Sequence, residues 1–275
     1  MIESVKYATI SNIYVKDLIF YDKGKEQRLI EFCEKNGISH LPDADRKTIY
    51  KLNQDKFTKV PLTDDLICHP FDRLFDENTI SKFENGDHDE VMFVIEDDVI
   101  KGAVHIVDYN NDFLNIEFYK ASYNIERMLR EYLIDVGETN NSLLNWMQEK
   151  ASTNKFWENR YNQCMPSNNE KREQLIKKRK DLVEFQSFYL NDLLLFAASK
   201  KLVSDKFKEN IEAVKQVRNW VAHSKDLAYR SGEIDKPLYK IKELKNFVAN
   251  ANQFFECYEE LEFRSFKKQI VRSGF

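Results

Sequence analysis

Glycine and proline are scarce in this chain, 7 and 5 among 275 residues, which excludes collagen-like and low-complexity disordered classes and leaves a folded, helix-rich protein. Long hydrophobic runs are missing too. The longest, Leu193 to Ala198, falls far short of the roughly 20 apolar residues a membrane-spanning helix needs. Met1 to Val15 holds no basic stretch followed by an apolar core, so no membrane partner is expected and the expected location is cytoplasmic. Cysteine is sparse and scattered. Cys33, Cys68, Cys164 and Cys257 form no Cys-x-x-Cys pair, so neither a disulfide framework nor a structural zinc site is indicated, and all four read as reduced thiols.

What is present is a balanced mixture of 42% hydrophobic and 32% charged residues, on a chain long enough for two domains that each bury a core. The net charge of −4 conceals an asymmetry. Residues 1–120 carry 15 Lys+Arg against 24 Asp+Glu, and residues 121–275 carry 27 against 22. The second part is thus mildly basic, a bias compatible with a polyanionic partner but not diagnostic of one.

Hydrophobic periodicity changes at about the same place. Val91–Ile95 and Val99–Val107 are β-branched runs separated by Glu96-Asp97-Asp98, which predicts two strands joined by a tight acidic turn. Residues 25–36 carry Leu29, Ile30, Phe32 and Cys33 at helical spacing and stop at Asn36-Gly37, a helix with a glycine C-terminal cap. A short strand over 38–41 and helices over 70–75 and 78–84 complete the first part. Beyond Asp112 the alternation disappears, and apolar recurrence predicts helices over 121–136, 139–150, 170–202, 204–224 and 236–263. The last is the clearest, with Ile241, Leu244, Val248, Ala251, Phe255 and Tyr258 spaced by threes and fours. Residues 159–170, with Pro166-Ser167-Asn168-Asn169, read as a loop.

The strongest concentration of chemistry is Val217-Arg218-Asn219-Trp220-Val221-Ala222-His223. Arginine is permanently charged and forks onto phosphate oxygens, whereas imidazole changes protonation near neutral pH. Together they suit cleavage of a phosphodiester. Ile211, Val214, Val217 and Val221 form one apolar stripe; Arg218 falls at its edge, and Asn219 and His223 share the face beyond. On an ideal helix Arg218 and His223 are about 140° apart, so one helix does not converge both on a single phosphate. Two copies across a two-fold axis could.

Two stretches resemble known families. Ile38-Ser39-His40-Leu41-Pro42 after a capped helix, and Gly102-Ala103-Val104-His105-Ile106-Val107-Asp108, resemble the two halves of a CBS-domain pair over residues 10–110. That resemblance implies a twice-repeated strand–helix–strand–strand–helix unit and an adenine nucleotide as regulatory ligand, with Asp108 on the ribose and His105 beside it. His105 stands where the family usually has Ser or Thr, and the first half lacks the matching acidic ending. Residues 120–265, with the Arg-x4-His spacing of Arg218 to His223 and the polar Asn219, resemble a HEPN domain. That implies an antiparallel helical bundle, a homodimer, and metal-independent cleavage of single-stranded RNA, as in stress or anti-phage defence effectors, with Arg218, Asn219 and His223 catalytic and no cofactor required.

Plainer readings stand beside these. Arg218 can be an edge ion-pair partner and His223 a favourable helix C-terminal residue. His105 on an apolar strand is more often a hydrogen-bonded core histidine than a ligand contact. Cys68-His69 fits a turn before Pro70, Lys177-Lys178-Arg179-Lys180 a solvated helix face, and Phe185, Phe188, Tyr189, Phe254 and Phe255 core or dimer interface. Trp220, opposite the stripe, is the tryptophan expected to meet a partner chain. The expected architecture is α+β: a CBS-pair-like regulatory domain over 1–115 followed by an all-α HEPN-like bundle over 120–275. The expected function is that of a ligand-gated, dimeric endoribonuclease; the alternative is a non-catalytic dimerising sensor that binds a nucleotide or a protein.

Overall fold

The computed structural model describes residues 2–83, 91–223, 230–231, 238–239 and 241–273. In chain order the elements are α1 (Glu3–Lys6), α2 (Glu26–Asn36), β1 (His40–Pro42), β2 (Ile49–Asn53), β3 (Lys56–Val60), β4 (Ile67–Cys68), α3 (Glu77–Lys82), β5 (Met92–Glu96) and β6 (Val99–Val104). There follow α4 (Asp112–Asp135), α5 (Asn140–Ala151), α6 (Lys155–Cys164), α7 (Asn169–Lys180), α8 (Leu190–Ser199), α9 (Asp205–Glu209), α10 (Ile211–Ala222), β7 (Arg230–Ser231), β8 (Leu238–Tyr239) and α11 (Ile241–Ser273). The class is mixed α+β, as expected. The chain divides into two compact units, residues 1–119 with 216–252, and residues 120–215 with 253–275. The expected division at 115–120 assigns 216–252 to the helical half; the structure groups those residues with the N-terminal ones.

The first unit holds two small sheets. β1, β2 and β3 form an antiparallel meander, with Leu41 opposite Tyr50 and Leu52 opposite Phe57. Against it packs α2, which ends as its sequence dictates: Gly37 adopts φ 66°, and its N–H bonds back to the last turn. Ile30, Cys33, Leu41 and Phe57 form the core between them, and Tyr21 stacks on Tyr50 at 3.9 Å. The second sheet places β4 parallel to β5 and β5 antiparallel to β6. Its hairpin turns on Asp97 and Asp98, at φ 52° and 58°, the double left-handed geometry of a type I′ turn that aspartate tolerates. The acidic turn is therefore where periodicity puts it. Gly102 on β6 has a separate necessity. A Cβ there would lie 2.2 Å from the Tyr14 ring and 2.5 Å from the Val15 carbonyl oxygen. The bare backbone lets Val15 and Ala103 exchange two hydrogen bonds of 2.8 and 3.0 Å.

Several expectations for this unit change. Residues 70–75 form turns, not a helix. The carbonyls of Pro70 and Asp72 accept from Ser11 and Ile10, and the N–H of Leu74 reaches the Ala8 carbonyl, so the backbone groups a helix would use are taken by the N-terminal segment. A hairpin the periodicity does not reveal, β2–β3, turns at Gln54-Asp55 with Gln54 at φ 57°. Residues 238–239 pair as a strand with 230–231 instead of opening the last helix. The expected helix ends at Glu84 and Ser224 lie outside the described residues.

The second unit is helical. Leu143, Trp146 and Met147 of α5, Trp157 of α6 and Leu193, Leu194, Phe196 and Ala197 of α8 are buried; Trp146 meets Trp157 edge-on at 4.7 Å and Phe196 at 5.6 Å. The single helix expected over 170–202 is broken. α7 has no fully buried residue, whereas α8 buries six of its ten. The chain turns at Phe185, buried at φ 66°, whose N–H donates to Asn140 Oδ1 at 2.8 Å. The loop expected over 159–170 is partly α6, capped by Asn154, whose side chain accepts from the Phe156 N–H.

The buried pair Arg160–Asp192 joins α6 to α8. Nε of Arg160 donates to Asp192 Oδ2 at 2.9 Å and Nη1 to Gln163 Oε1 at 3.0 Å, while the side chains are 10% and 2% exposed. Asp192→Ala leaves a buried guanidinium uncompensated and is expected to cost about 3–5 kcal/mol. The Arg160→Met/Asp192→Leu double substitution is expected to cost much less, as read from urea denaturation of both variants.

His40, 5% exposed on β1, is held well below the ordinary histidine range, at about 4, by burial and then by Lys51. Below its unfolded value near 6.5 the unfolded chain takes up a proton that the fold refuses. The histidine's contribution is therefore intact above pH 6.5 and lost as pH falls towards about 4, a loss of roughly 2 kcal/mol by about pH 5. Urea midpoints for wild type and His40→Gln should converge on acidification; a constant gap from pH 7 to 5 contradicts the assignment.

Candidate functional site

α10 carries the motif. Ile211, Val214 and Val217 are buried along one stripe, joined by Ala213, and the N–H of His223 still reaches the Asn219 carbonyl at 3.2 Å, so helical geometry extends to the imidazole. Arg218 and His223 are exposed and Asn219 is half-buried. Arg218 Nη1 donates to Asn219 Oδ1 at 3.5 Å, a long contact that joins the guanidinium to the carboxamide. The two side chains with phosphate and proton chemistry thus stand in solvent at the C-terminal end of a helix whose other face is core.

The anchor of that end is aromatic. Trp220 is half-buried and meets Phe247 of α11 edge-on at 5.0 Å; Phe247 meets Phe118 of α4 at 5.5 Å and Phe75 at 6.0 Å. Phe75 and Phe118 close the cluster at 5.7 Å, and Asn252 Nδ2 donates to the Phe75 carbonyl at 3.1 Å. Trp220, the tryptophan expected to meet a partner chain, has an intramolecular aromatic partner in Phe247. By this cluster the motif belongs to the first unit, which carries 21 Lys+Arg against 28 Asp+Glu.

His105 and Asp108 are brought together, on each other. The N–H of His105 donates to Asp108 Oδ2 at 2.7 Å, and His105 Nδ1 accepts from the Val107 N–H at 3.2 Å. The pair closes a short 3-10 turn over 106–110 as a reciprocal cap. Burial pushes the Asp108 carboxyl up to about 6, against the opposing pull of the His105 N–H. A ligand at this position meets a carboxylate already used by the backbone on one oxygen.

Cys68 ends β4, not a turn, and His69 leads into the turn that begins at Pro70. The His69 N–H donates to Asp72 Oδ2 at 2.9 Å, and the buried Cys68 thiol is pushed up to about 12 by burial and then by Asp72, the opposite of an activated nucleophile. All four cysteines are buried and free. Among the described residues no group of three or more His, Cys, Asp or Glu could hold a metal ion, and no helix is long and apolar enough to cross a membrane. A second polar concentration, around Arg160 and Arg179, has only the 177–180 basic run as a sequence signal, because its members come from segments up to 29 residues apart. Comparison of the chain with protein-family models, curated proteins and solved structures finds no match in any of the three.

Asp108→Asn tests the burial of the carboxyl. With a folded value near 6 and an unfolded one near 3.8, the fold retains the proton through that window, so the cost of burying the charge is absent below about 4 and complete above 6. Asp108→Asn, which keeps an acceptor for the His105 N–H, should exceed wild type at pH 7 by about 1–2 kcal/mol, allowing for partial exposure. The advantage should vanish by about pH 4. Chemical denaturation at several pH values measures it, and an advantage independent of pH contradicts the assignment.

Proposed function

We propose that this protein is a homodimeric endoribonuclease that uses Arg218, Asn219 and His223 in metal-independent cleavage of single-stranded RNA, the activity implied by the HEPN resemblance. The observation that supports the reading best is the exposure of Arg218 and His223 at the end of α10. Because the two groups are well separated around one helix, a second copy completes the site. In the reaction, one His223 imidazole takes the proton of the ribose 2′-hydroxyl, whose oxygen attacks the adjacent phosphorus. The 5′-oxygen leaves with a proton from the imidazole of the second copy. Arg218 stabilises the negative charge on the non-bridging oxygens, and Asn219 holds the guanidinium or bonds the phosphate. The products are a 2′,3′-cyclic phosphate and a 5′-hydroxyl.

The CBS-like reading adds an adenine nucleotide as a regulatory ligand of the first unit, with Asp108 and His105 at its ribose. The half-buried, raised Asp108 carboxyl supports a polar ligand contact there only if the ligand replaces or shares the cap to His105. The rival function, a non-catalytic dimerising sensor, predicts the same assembly with no RNA turnover.

Incubation of the full chain with single-stranded RNA in EDTA should give fragments with cyclic phosphate ends, and DNA, lacking the 2′-hydroxyl, should survive. His223→Ala should lower the rate by about 10²–10⁴-fold with the fold and the sedimentation coefficient unchanged. Arg218→Ala should lower it comparably and also weaken RNA binding. Cleavage equal to wild type in His223→Ala, or dependent on added metal, returns the motif to a structural role.

A further inference from the structure

The second unit contains a cavity of about 400 Å³ where α6, α7 and the 181–189 segment meet, lined by Arg160, Gln163, Lys178, Arg179, Gln186, Ser187 and Tyr189 among others. No carboxylate lines it. The charge of Arg160 is met by Asp192 behind the wall, but Lys178 and Arg179 have no carboxylate partner among the described residues. Arg179 is held in place without being neutralised: Nη2 donates to the Cys164 carbonyl at 2.6 Å, and its guanidinium lies 5.4 Å from the Phe188 ring centroid. Its Nε is buried with no hydrogen-bond partner, and so is the Ser187 hydroxyl. Each such orphan costs about 1–3 kcal/mol unless something answers it.

The amides in the wall are polarised the same way. Gln163 Oε1 accepts from Arg160 Nη1 and Gln186 Oε1 from the Val183 N–H, which leaves the NH₂ donors as the uncommitted ends. The lining therefore offers N–H and O–H donors and positive charge, which is the chemistry of an oxyanion site. It is also larger than an isolated oxyanion needs and falls within the range of small-molecule pockets. At its rim Tyr189 is 66% exposed, and its ring lies 3.9 Å from the Arg160 guanidinium, a rigid aromatic surface against which a planar group can stack. The surrounding unit has 21 Lys+Arg against 18 Asp+Glu, so the long-range field does not oppose an anion.

We propose that this cavity binds a phosphomonoester, with Arg179 Nε, the Ser187 hydroxyl and Lys178 on the phosphate and Tyr189 against the organic moiety. The site is independent of the Arg218/His223 motif and of Asp108. The phosphate can arrive as the free ion, on a sugar or on a mononucleotide, and calorimetric titration of the full chain with inorganic phosphate, ribose 5-phosphate, adenosine 5′-monophosphate and adenosine separates these sources. All three phosphates should bind and compete with one another, and adenosine alone should not bind. Ser187→Ala and Lys178→Ala, which touch no packing contact described above, should each weaken the phosphates roughly tenfold. Tyr189→Leu should weaken only the mononucleotide. Arg179→Lys keeps the charge but lacks the Nε donor and should weaken all three. Absence of binding by any phosphate at millimolar concentration overturns the proposal. So does phosphate affinity that Asp108→Ala lowers while Ser187→Ala and Lys178→Ala leave it unchanged, since the ligand then sits in the first unit.

Discussion

Edge-to-face packing among Phe75, Phe118, Phe247 and Trp220 is the contact on which the placement of the candidate motif depends. These four rings come from four separate parts of the chain, the 70–75 turns, α4, α10 and α11. Aromatic pairs of this kind contribute about 0.5–1.5 kcal/mol each beyond the area they bury. Together they fix the C-terminal end of α10 and the N-terminal part of α11 in the first unit. Arg218 and His223 are exposed because the neighbouring Val217 and Trp220 are committed inward. The chemistry at the surface is a consequence of the core beneath it.

That arrangement bears on the electrostatics of the proposed reaction. The motif stands in a unit with more acidic than basic residues, so long-range attraction does not gather RNA there, and Arg218 must supply the local charge. The basic surplus lies in the other unit, concentrated in α7 and its neighbourhood. A protein that recognises phosphate at a surface motif and at a donor-lined cavity would be using two different solutions to one problem. In the proposed reaction the motif would rely on symmetry between copies, and the proposed phosphate site on enclosure and orphaned donors.

Much of the local structure is legible in the sequence wherever a single short-range rule decides it. Gly37 ends α2, the Asp97-Asp98 turn joins β5 to β6, and the spacing of Leu244, Val248, Ala251, Phe255 and Tyr258 marks the buried face of α11. Two of the failures share one cause, competition from distant segments. Pro70 to Phe75 has local helical character, yet its carbonyls are claimed by residues 10 and 11. The break at 181–189 depends on Asn140 receiving the Phe185 N–H, a partner 45 residues away that no window of local sequence contains. The β2–β3 hairpin turns on Gln54 in a left-handed conformation with no glycine to announce it. The four rings that meet in the first unit, Phe75, Phe118, Trp220 and Phe247, read separately as ordinary core aromatics.

The candidate sites divide along the same line. The spacing of Arg218, Asn219 and His223 is readable because all three lie on one helix, where sequence distance and spatial direction are tied by geometry. His105 and Asp108 are readable as neighbours for the same reason, but their engagement with each other as a cap is visible only in three dimensions. Arg160, Arg179 and Ser187 converge from two helices and the turn between α7 and α8, and the basic run at 177–180 reads as solvated surface until Arg179 is seen to fold back onto the Cys164 carbonyl. The orientation of that one side chain separates a charged surface from a cavity. It is set by a backbone acceptor at the end of α6, which the sequence places in a loop and the structure places in a helix that the Asn154 side chain caps.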